Sequence, residues 1–327
     1  MPILKPVKRH TAARPVVAVS DLNDRPDPAL TGLMTKNIFV SGASSGFGLM
    51  ISRALADAGH TVFAGIRDIG GHNTRAAAEA AEYAAARGVD LRVVELDVTS
   101  EESVRQAASE AGTPDVLVHN VGHMVVGPAE AFTAEQLADL YDTNVLGAHR
   151  LNRALLPGMR DRRDGLLVWI GSTSTRGGTP PYLGPYFAAK AGLDALAATM
   201  ALEVARFGIE TTIVVPGSFT KGTNHYAHAG HPADRAVAAS YEERYPHLMD
   251  QIGQRMAALE PADADPAQIA RIVADVVATE KGKRPFRVHY DPNDDGAVVV
   301  NAVADRVRTE FLDRLGLAEL LHPTKEN

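Results

Sequence analysis

The stretch "NIFVSGASSGFGLMISRALADAG" (residues 37–59) decides the fold. An apolar run leads into glycines at positions 42, 46 and 48, and an alanine-rich segment with helical periodicity follows and ends at Gly59. Glycine permits the sharp turn and the close backbone approach that such a strand–loop–helix unit needs. Because N–H groups at the start of a helix attract anions, the stretch predicts a loop that holds phosphate groups. Its G-x-x-x-G-x-G spacing differs from the G-x-x-x-x-G-K loop of kinases and ATPases.

The same kind of unit recurs along the chain. Short apolar runs alternate with alanine-rich helical segments, which is the pattern of parallel strands joined by crossover helices. Glycines 59, 88, 112 and 208 each close a helical segment shortly before a strand-like run, as a left-handed C′ glycine does. The predicted strands are "NIFVS", "TVFAGI", "LRVVEL", "DVLVHN", "GLLVWIG", "IETTIVVP" and "RPFRVHY". We therefore predict an α/β fold: a three-layer, Rossmann-type, doubly wound parallel sheet of about seven strands.

The predicted organisation is one domain over residues 35–327, preceded by a loose N-terminal arm at residues 1–34. The arm is rich in proline and lacks the continuous apolar segment of a signal peptide. Strand character disappears after the sixth predicted strand, which predicts a substrate-loop insertion at residues 218–260 over the carboxyl edge of the sheet. A helical tail is predicted at residues 298–327, with its helix at 302–320.

The composition excludes several function classes. The 33 basic and 40 acidic residues give a net charge of −7 without long runs of one sign, so no nucleic-acid partner is expected. The chain contains no cysteine, which excludes disulfides and thiolate metal sites and favours a cytoplasmic location. The longest apolar runs, such as residues 165–171, are much shorter than the ~20 residues that span a bilayer, so no membrane partner is predicted.

A tyrosine and a lysine mark the candidate chemistry. Tyr186 and Lys190 are four residues apart in a predicted helix, so their side chains share one face. A phenol ionises near pH ~10, too high for proton transfer at neutrality unless positive charge stabilises the phenolate. We expect Lys190 to lower the pKa of Tyr186 in this way.

These motifs together resemble the short-chain dehydrogenase/reductase family in its non-extended branch. The family's Thr-Gly-x-x-x-Gly-x-Gly loop is matched by "SGASSGFG" at residues 41–48, with Ser41 in place of threonine, and its Tyr-x-x-x-Lys by Tyr186 and Lys190. The resemblance covers residues 37–220. It implies hydride exchange between a nicotinamide cofactor and an alcohol or a carbonyl compound, with Tyr186 as general acid/base.

The resemblance implies two further catalytic residues. Ser172 follows the fifth strand and would stabilise the developing alkoxide, and Ser174 is the alternative because Ser172 precedes Tyr186 by one residue more than is usual. Asn144, in "DTNVLG", matches the asparagine that interrupts a helix in the family and holds a water against the lysine. The implied catalytic residues are Asn144, Ser172, Tyr186 and Lys190, and no metal site is expected.

The implied cofactor is NADP (NADPH), with NAD less favoured. The family's NAD-selecting aspartate is replaced by Gly65, and Arg67 suits a 2′-phosphate unless it only pairs with Asp68 on the surface. The implied cofactor-binding residues are Gly42, Ser44, Ser45, Gly46, Phe47, Gly48, Arg67, Asp97, Val98, Asn120, Val121, Gly122, Tyr186, Lys190, Pro216, Gly217, Phe219 and Thr220.

Two features near the sixth strand stay open. The threonine that the family places five residues after Pro216 is Lys221 here, which leaves Thr220 and Thr223 as candidates for the nicotinamide end. The histidines at positions 225, 228 and 231 recur every three residues, but Gly230 would break a helix that aligned them for a metal. A mobile loop that contacts substrate is therefore predicted.

The predicted function is an NADP-dependent oxidoreductase that interconverts a mostly apolar small-molecule alcohol with its ketone or aldehyde. The alternative is a non-catalytic NAD(P)-binding sensor or scaffold protein with the same fold. The family habitually pairs its fourth and fifth helices, which implies a homodimer or homotetramer.

Overall fold

Seven parallel strands form one sheet in the computed structural model, which describes residues 35–223 and 225–323. The predicted N-terminal arm lies outside the described residues. The strands are β1 (Asn37–Ser41), β2 (Thr61–Ile66), β3 (Leu91–Glu95), β4 (Val116–His119), β5 (Gly165–Ile170), β6 (Ile209–Pro216) and β7 (Arg287–Tyr290). Their spatial order is β3-β2-β1-β4-β5-β6-β7. The predicted strands and the predicted fold class are confirmed.

Helices cover both faces of this sheet. The helices of the described residues are α1 (Gly46–Asp57), α2 (Thr74–Arg87), α3 (Glu101–Ala111), α4 (Ala134–Tyr141), α5 (Gly147–Arg162), α6 (Gly184–Glu203), α7 (Arg235–Arg244), α8 (Leu248–Leu259), α9 (Ala267–Ala278) and α10 (Ala297–Arg314). Along β1, Ile38 and Val40 pack with α1 and α9, whereas Phe39 points to the opposite core with α3, α5 and α6. Strands buried on both faces explain the continuous apolar runs of the sequence.

Glycines lie at or near several helix ends as predicted, but α6 ends at Glu203 and a 3₁₀ turn (Ala205–Phe207) separates it from Gly208. Glycines 59, 88, 112 and 208 have φ values of +64° to +87°, a region that favours glycine. The last helix starts earlier than expected: α10 begins at Ala297 and ends at Arg314, because Gly296 and Gly316 both have positive φ. The predicted insertion contains α7 and α8. In the described ranges, no helix has the length and apolar character needed to cross a membrane.

The strand order puts the glycine loop at the point where the order of consecutive strands changes direction across the sheet. β1 lies between β2 and β4, so crossover connections leave it towards opposite sides and open a crevice at the carboxyl ends of the strands. Asn120, after β4, donates its Nδ2 to Ser41 O and Gly42 O, each at 3.0 Å, and so ties the loop to the neighbouring strand. A Cβ on Gly48 would lie 2.1 Å from Gly42 O and 2.4 Å from Asn120 Nδ2.

We predict that Gly48→Ala lowers the free energy of unfolding by about 1–3 kcal/mol, because the added methyl group overlaps backbone that cannot move away. Gly253→Ala in α8 is the matched control: its Cβ would meet no heavy atom within 4 Å. It should leave stability unchanged or raise it by up to ~1 kcal/mol. Urea unfolding measures both, and equal stability of the two variants would contradict the packing role of Gly48.

Candidate active site

A cavity of about 1230 Å³ opens at the carboxyl edge of the sheet. The glycine loop, the loops after β2, β4, β5 and β6, and the start of α6 line it. The predicted cofactor residues that line this cavity are Gly42, Ser44, Ser45, Gly46, Phe47, Arg67, Asp97, Val98, Asn120, Val121, Gly122, Tyr186, Lys190, Pro216, Gly217 and Phe219. The fold therefore brings together residues that are up to 177 positions apart in the sequence, from Gly42 to Phe219 (219 − 42).

Two predicted cofactor residues do not line the cavity. Gly48 is buried at the contact between α1 and the loop, where it allows close packing. Thr220 turns away because its backbone N–H donates to Glu260 Oε2 at 2.8 Å and its hydroxyl donates to the same oxygen. The geometry does not support the predicted cofactor contact of Thr220. Thr223, the other candidate, lines the cavity.

One end of the cavity is formed by the start of α1. Ser45 precedes the helix but its side chain makes no capping hydrogen bond, whereas Ser100, Thr133 and Asp234 cap other helices with their side-chain oxygens. The position that a Cβ would take on Gly46 has no heavy atom within 4 Å. Uncapped N–H groups at the start of a helix that lines a cavity suit an anion, so these residues fit the phosphates of a dinucleotide.

Arg67 lies at the carboxyl end of β2 and lines the cavity with an exposed side chain. The carboxylate of Asp68 accepts a hydrogen bond from the His72 backbone N–H at 2.7 Å instead of pairing with Arg67. In the described part of the chain, the Arg67 guanidinium has no ion-pair partner. This arrangement leaves its five N–H donors available to a ligand.

Tyr186 lies in the first turn of α6 and is 5% exposed. Its phenol is hydrogen-bonded to the Ser172 side chain, and its Oη is 3.2 Å from His225 Nε2. Burial raises the pKa of Tyr186; the Ser172 hydrogen bond opposes the rise and Tyr226 adds to it. The expectation of a lowered pKa is thus not met, because removal of the hydroxyl from water outweighs any charge nearby.

Lys190 is buried one helical turn along α6, at 4% exposure. Its Nζ donates to Ile170 O at the end of β5, at 3.1 Å, rather than to the phenol. Burial lowers the pKa of Lys190 to about 8. The Lys190 side chain is therefore mostly protonated at neutral pH, although its burial disfavours the charged form.

Asn144 lies in a π-helical turn (Asp142–Leu146) between α4 and α5, which matches the predicted interruption of a helix. Its Oδ1 accepts from His123 N at 2.8 Å and its Nδ2 donates to His123 O at 3.0 Å. A Cβ on Gly122 would lie 3.2 Å from Asn144 Oδ1 and 3.4 Å from Lys190 Nζ. Asn144 thus holds the backbone beside Lys190 from behind the cavity wall.

The structure distinguishes the two candidate serines. Ser172 hydrogen-bonds to Tyr186, and its Oγ also accepts from Ser174 N at 3.2 Å, which fixes its orientation. The Ser174 hydroxyl is buried without a hydrogen-bond partner among the described residues. The geometry therefore favours Ser172 as the serine that acts with Tyr186.

The predicted histidine loop is hydrogen-bonded through Gly230 to the segment after β4. His225 and His228 line the cavity, whereas His231 is exposed and its Nδ1 lies 3.3 Å from Val126 O. Nothing in the spacing of these histidines indicated the contact of His225 with Tyr186, since the path of a loop sets it. Residues 35–223 and 225–323 contain no cluster of His, Asp and Glu side chains able to hold a metal ion.

Sequence reasoning also missed Asp194, although its spacing gave a signal. Asp194 continues the series that starts with Tyr186 and Lys190 at four-residue intervals on the buried face of α6. Its carboxylate contacts Arg287 at 2.5 Å and Arg176 at 3.3 Å. A carboxylate on the buried face of a helix predicts a buried cationic partner, but only the fold identifies that partner.

The sequence model of the short chain dehydrogenase family matches residues 36–232. The chain belongs to the short-chain dehydrogenase family. Human retinol dehydrogenase 8 is 39% identical over 186 residues, which are 56% of this chain and 58% of that protein. Rat estradiol 17-beta-dehydrogenase 1 is 30% identical over 236 residues, which are 70% of this chain and 67% of that protein. The chain spans less than two thirds of the length of the first relatives.

Solved structures of the family agree with the fold. A short-chain dehydrogenase from Streptomyces avermitilis is similar with a TM-score of 0.66 at 30% identity, over 87% of this chain and 98% of that one. A single-substitution variant of actinorhodin polyketide ketoreductase, solved with NADPH, has a TM-score of 0.63 at 25% identity, over 80% and 98% of the two chains. The predicted family and fold are therefore confirmed.

We predict that Lys190→Met raises the free energy of unfolding at pH 7 by about 1–3 kcal/mol, because methionine fills similar space without a buried ammonium. The folded chain binds fewer protons at Lys190 than the unfolded chain between about pH 8 and 10.5. The free energy of unfolding of the wild type therefore increases as the pH rises through this window and Lys190 loses its proton. The difference in this free energy between wild type and variant becomes smaller. Urea unfolding at both ends of the window measures this. A destabilised variant, or a difference that does not change with pH, would contradict it.

Proposed function

We propose that the protein is an NADP-dependent oxidoreductase that interconverts an alcohol with a ketone or an aldehyde. The observation that carries this proposal is the placement of Tyr186, Ser172 and Lys190 in the same cavity as the glycine loop, with Lys190 one helical turn from Tyr186. The names of the relatives, retinol dehydrogenase and estradiol 17-beta-dehydrogenase, support chemistry at an alcohol carbon. Asn144 completes the proposed catalytic residues.

The proposed chemistry is proton transfer at the Tyr186 oxygen. A bound nicotinamide dinucleotide supplies or accepts the hydride. The raised pKa of Tyr186 keeps its phenol protonated at neutral pH, which is the form that donates a proton to a carbonyl oxygen during reduction. Ser172 donates to the phenol oxygen, on which negative charge develops as the proton leaves, and Lys190 adds a positive charge behind the phenol.

We propose NADP rather than NAD as the cofactor. The exposed guanidinium of Arg67 at the end of β2 supports a 2′-phosphate, and the relative solved with NADPH supports the same choice. The uncapped start of α1 supports the pyrophosphate. The proposed cofactor site comprises the sixteen predicted residues that line the cavity, named above.

The proposed substrate is mostly apolar. Met124, Leu183, Phe187 and Tyr226 belong to one hydrophobic cluster with Tyr186, and they line the cavity together with Met256 and Leu259. The last two come from α8, in the predicted insertion. Such a lining binds carbon skeletons by burial and leaves the polar contacts to the reacting end.

We also propose that residues 35–327 act as one catalytic domain that assembles as a homodimer or homotetramer. Exposed Leu137, Tyr141 and Leu146 along α4 and the following turn support a contact surface on the helices that the family pairs. Cytoplasmic location and the absence of a nucleic-acid or membrane partner remain predictions.

Tyr186→Phe should lower turnover by at least ~100-fold while NADPH affinity stays within about threefold of wild type, because only the proton donor is removed. A panel of ketones, aldehydes and alcohols, followed by NADPH absorbance, measures the rate, and NADPH fluorescence measures binding. An unchanged rate would refute the proposed role of Tyr186. Binding of NADPH without turnover on any substrate would instead support the sensor or scaffold alternative.

Arg67→Gln should weaken NADPH binding by about tenfold or more and leave NADH binding almost unchanged, because only NADPH carries the 2′-phosphate. Arg75→Gln is the matched control, since Arg75 is exposed on α2 and paired with Glu79 at 2.7 Å. Fluorescence titration with both cofactors measures the effect. Equal weakening of NADPH and NADH binding would contradict the role of Arg67 in selecting NADP.

A further inference from the structure

His225 is placed against the reacting phenol by the loop that follows β6. Its Nε2 lies 3.2 Å from Tyr186 Oη, and the two rings meet edge to face at 5.5 Å between centroids. The histidine is largely buried, and it lines the cavity. Family resemblance assigned no role to this residue, and it is not among the proposed catalytic residues Asn144, Ser172, Tyr186 and Lys190.

Backbone contacts hold this loop in position. Gly230 N donates to Met124 O at 2.8 Å and Gly230 O accepts from Val126 N at 2.9 Å, a short parallel bridge between the loop and the segment after β4. Tyr226, next to His225, packs into the small hydrophobic cluster that contains Tyr186. The contact between His225 and the phenol therefore belongs to a packed structure with its own hydrogen bonds.

The hydrogen-bonding capacity of the phenol oxygen indicates what His225 does. The oxygen carries one hydrogen and two lone pairs. Ser174 N donates to Ser172 Oγ, so the Ser172 hydroxyl hydrogen is available for one lone pair of Tyr186. If Nε2 of His225 carries its proton, it occupies the other lone pair, and the phenol hydrogen stays free for the substrate. The opposite tautomer would take that hydrogen and leave the substrate without a donor.

We propose that His225 is a further catalytic residue, whose Nε2–H donates to the Tyr186 oxygen and stabilises the phenolate that forms during proton transfer. The inference rests on the proposed function. In carbonyl reduction, a bound nicotinamide dinucleotide would supply the hydride for the carbonyl carbon, while the Tyr186 O–H bond breaks and its proton joins the carbonyl oxygen. The phenolate keeps hydrogen bonds from Ser172 and His225 until it regains a proton from water. Oxidation runs the same steps in reverse.

The surroundings of His225 keep the imidazole neutral, so it acts as a hydrogen-bond donor and not as an acid. Burial lowers the pKa of His225 to about 4, and the charges of Lys190 and His123 contribute. The titratable groups that face the pair are Lys190 on α6, His123 after β4 and Tyr226 on the loop itself. A neutral N–H donor to an anionic oxygen contributes more than an ordinary hydrogen bond.

The test is the pH profile of kcat/KM for alcohol oxidation, in which the rise of rate with pH reports ionisation of the phenol. His225→Phe keeps an aromatic ring but removes the donor, so the rising limb should move about one unit to higher pH and the rate at pH 7 should fall about 10- to 100-fold. His225→Gln retains an N–H donor and should lie closer to wild type in both respects.

His231→Phe is the matched control because His231 belongs to the same loop but is exposed and does not line the cavity. Its profile should coincide with that of wild type, and NADPH affinity should be equal in all variants. A rate loss in His225→Phe with an unmoved limb, or a Gln variant as impaired as the Phe variant, overturns the role of His225 alone. Absence of turnover by wild type on every alcohol and carbonyl compound overturns the proposed function together with it.

Discussion

The removal of one polar helix face from water is the constraint on which the rest of the site depends. Tyr186, Lys190 and Asp194 follow one another at four-residue intervals on α6, and all three are buried. A buried polar group is costly unless it finds a partner, so each residue fixes another part of the fold around it. Tyr186 meets Ser172 and His225, Lys190 meets the end of β5, and Asp194 meets two arginines.

The Asp194 contacts connect the active site to the end of the chain. Arg287 on β7 contacts both Asp194 and Asp305, the latter at 3.0 Å and on α10. Arg176, in the loop that follows Ser172, approaches the other oxygen of Asp194. Removal of one partner from such a buried network leaves an uncompensated charge, which is strongly destabilising. β7 and α10 therefore contribute to the position of the α6 face that carries Tyr186 and Lys190, as well as to the core.

The sequence was sufficient to predict the features that depend on interactions between neighbouring residues. Apolar runs gave the seven strands, and glycines such as Gly88 and Gly208 marked the helix ends, because both signals depend on a few neighbouring residues. The spacing of the glycine loop and of Tyr186 and Lys190 gave the edge of the sheet at which the cavity opens. Each of these features lies within a short segment, so its prediction needs no knowledge of the tertiary structure.

Features set by long-range packing were not predictable in this way. The contact of His225 with Tyr186 depends on how a loop folds back over the cavity, and the turn of Thr220 towards Glu260 depends on α8. The sequence predicted a lowered pKa for Tyr186, whereas the structure raises it. Sequence spacing shows the neighbouring cation but not the burial of the hydroxyl group. Burial is a property of the whole fold, and here its effect on the pKa of Tyr186 exceeds the effect of nearby charge.

The central claim is that the Tyr186 hydroxyl exchanges a proton with the substrate oxygen. A crystal structure of the protein with NADPH and a slowly reduced carbonyl compound tests it most directly, through the distance between Tyr186 Oη and the carbonyl oxygen. The account predicts a separation of about 2.5–3.0 Å, with Ser172 Oγ in contact with the same oxygen. A carbonyl oxygen more than about 4 Å from Tyr186 Oη, hydrogen-bonded to other groups, would contradict it.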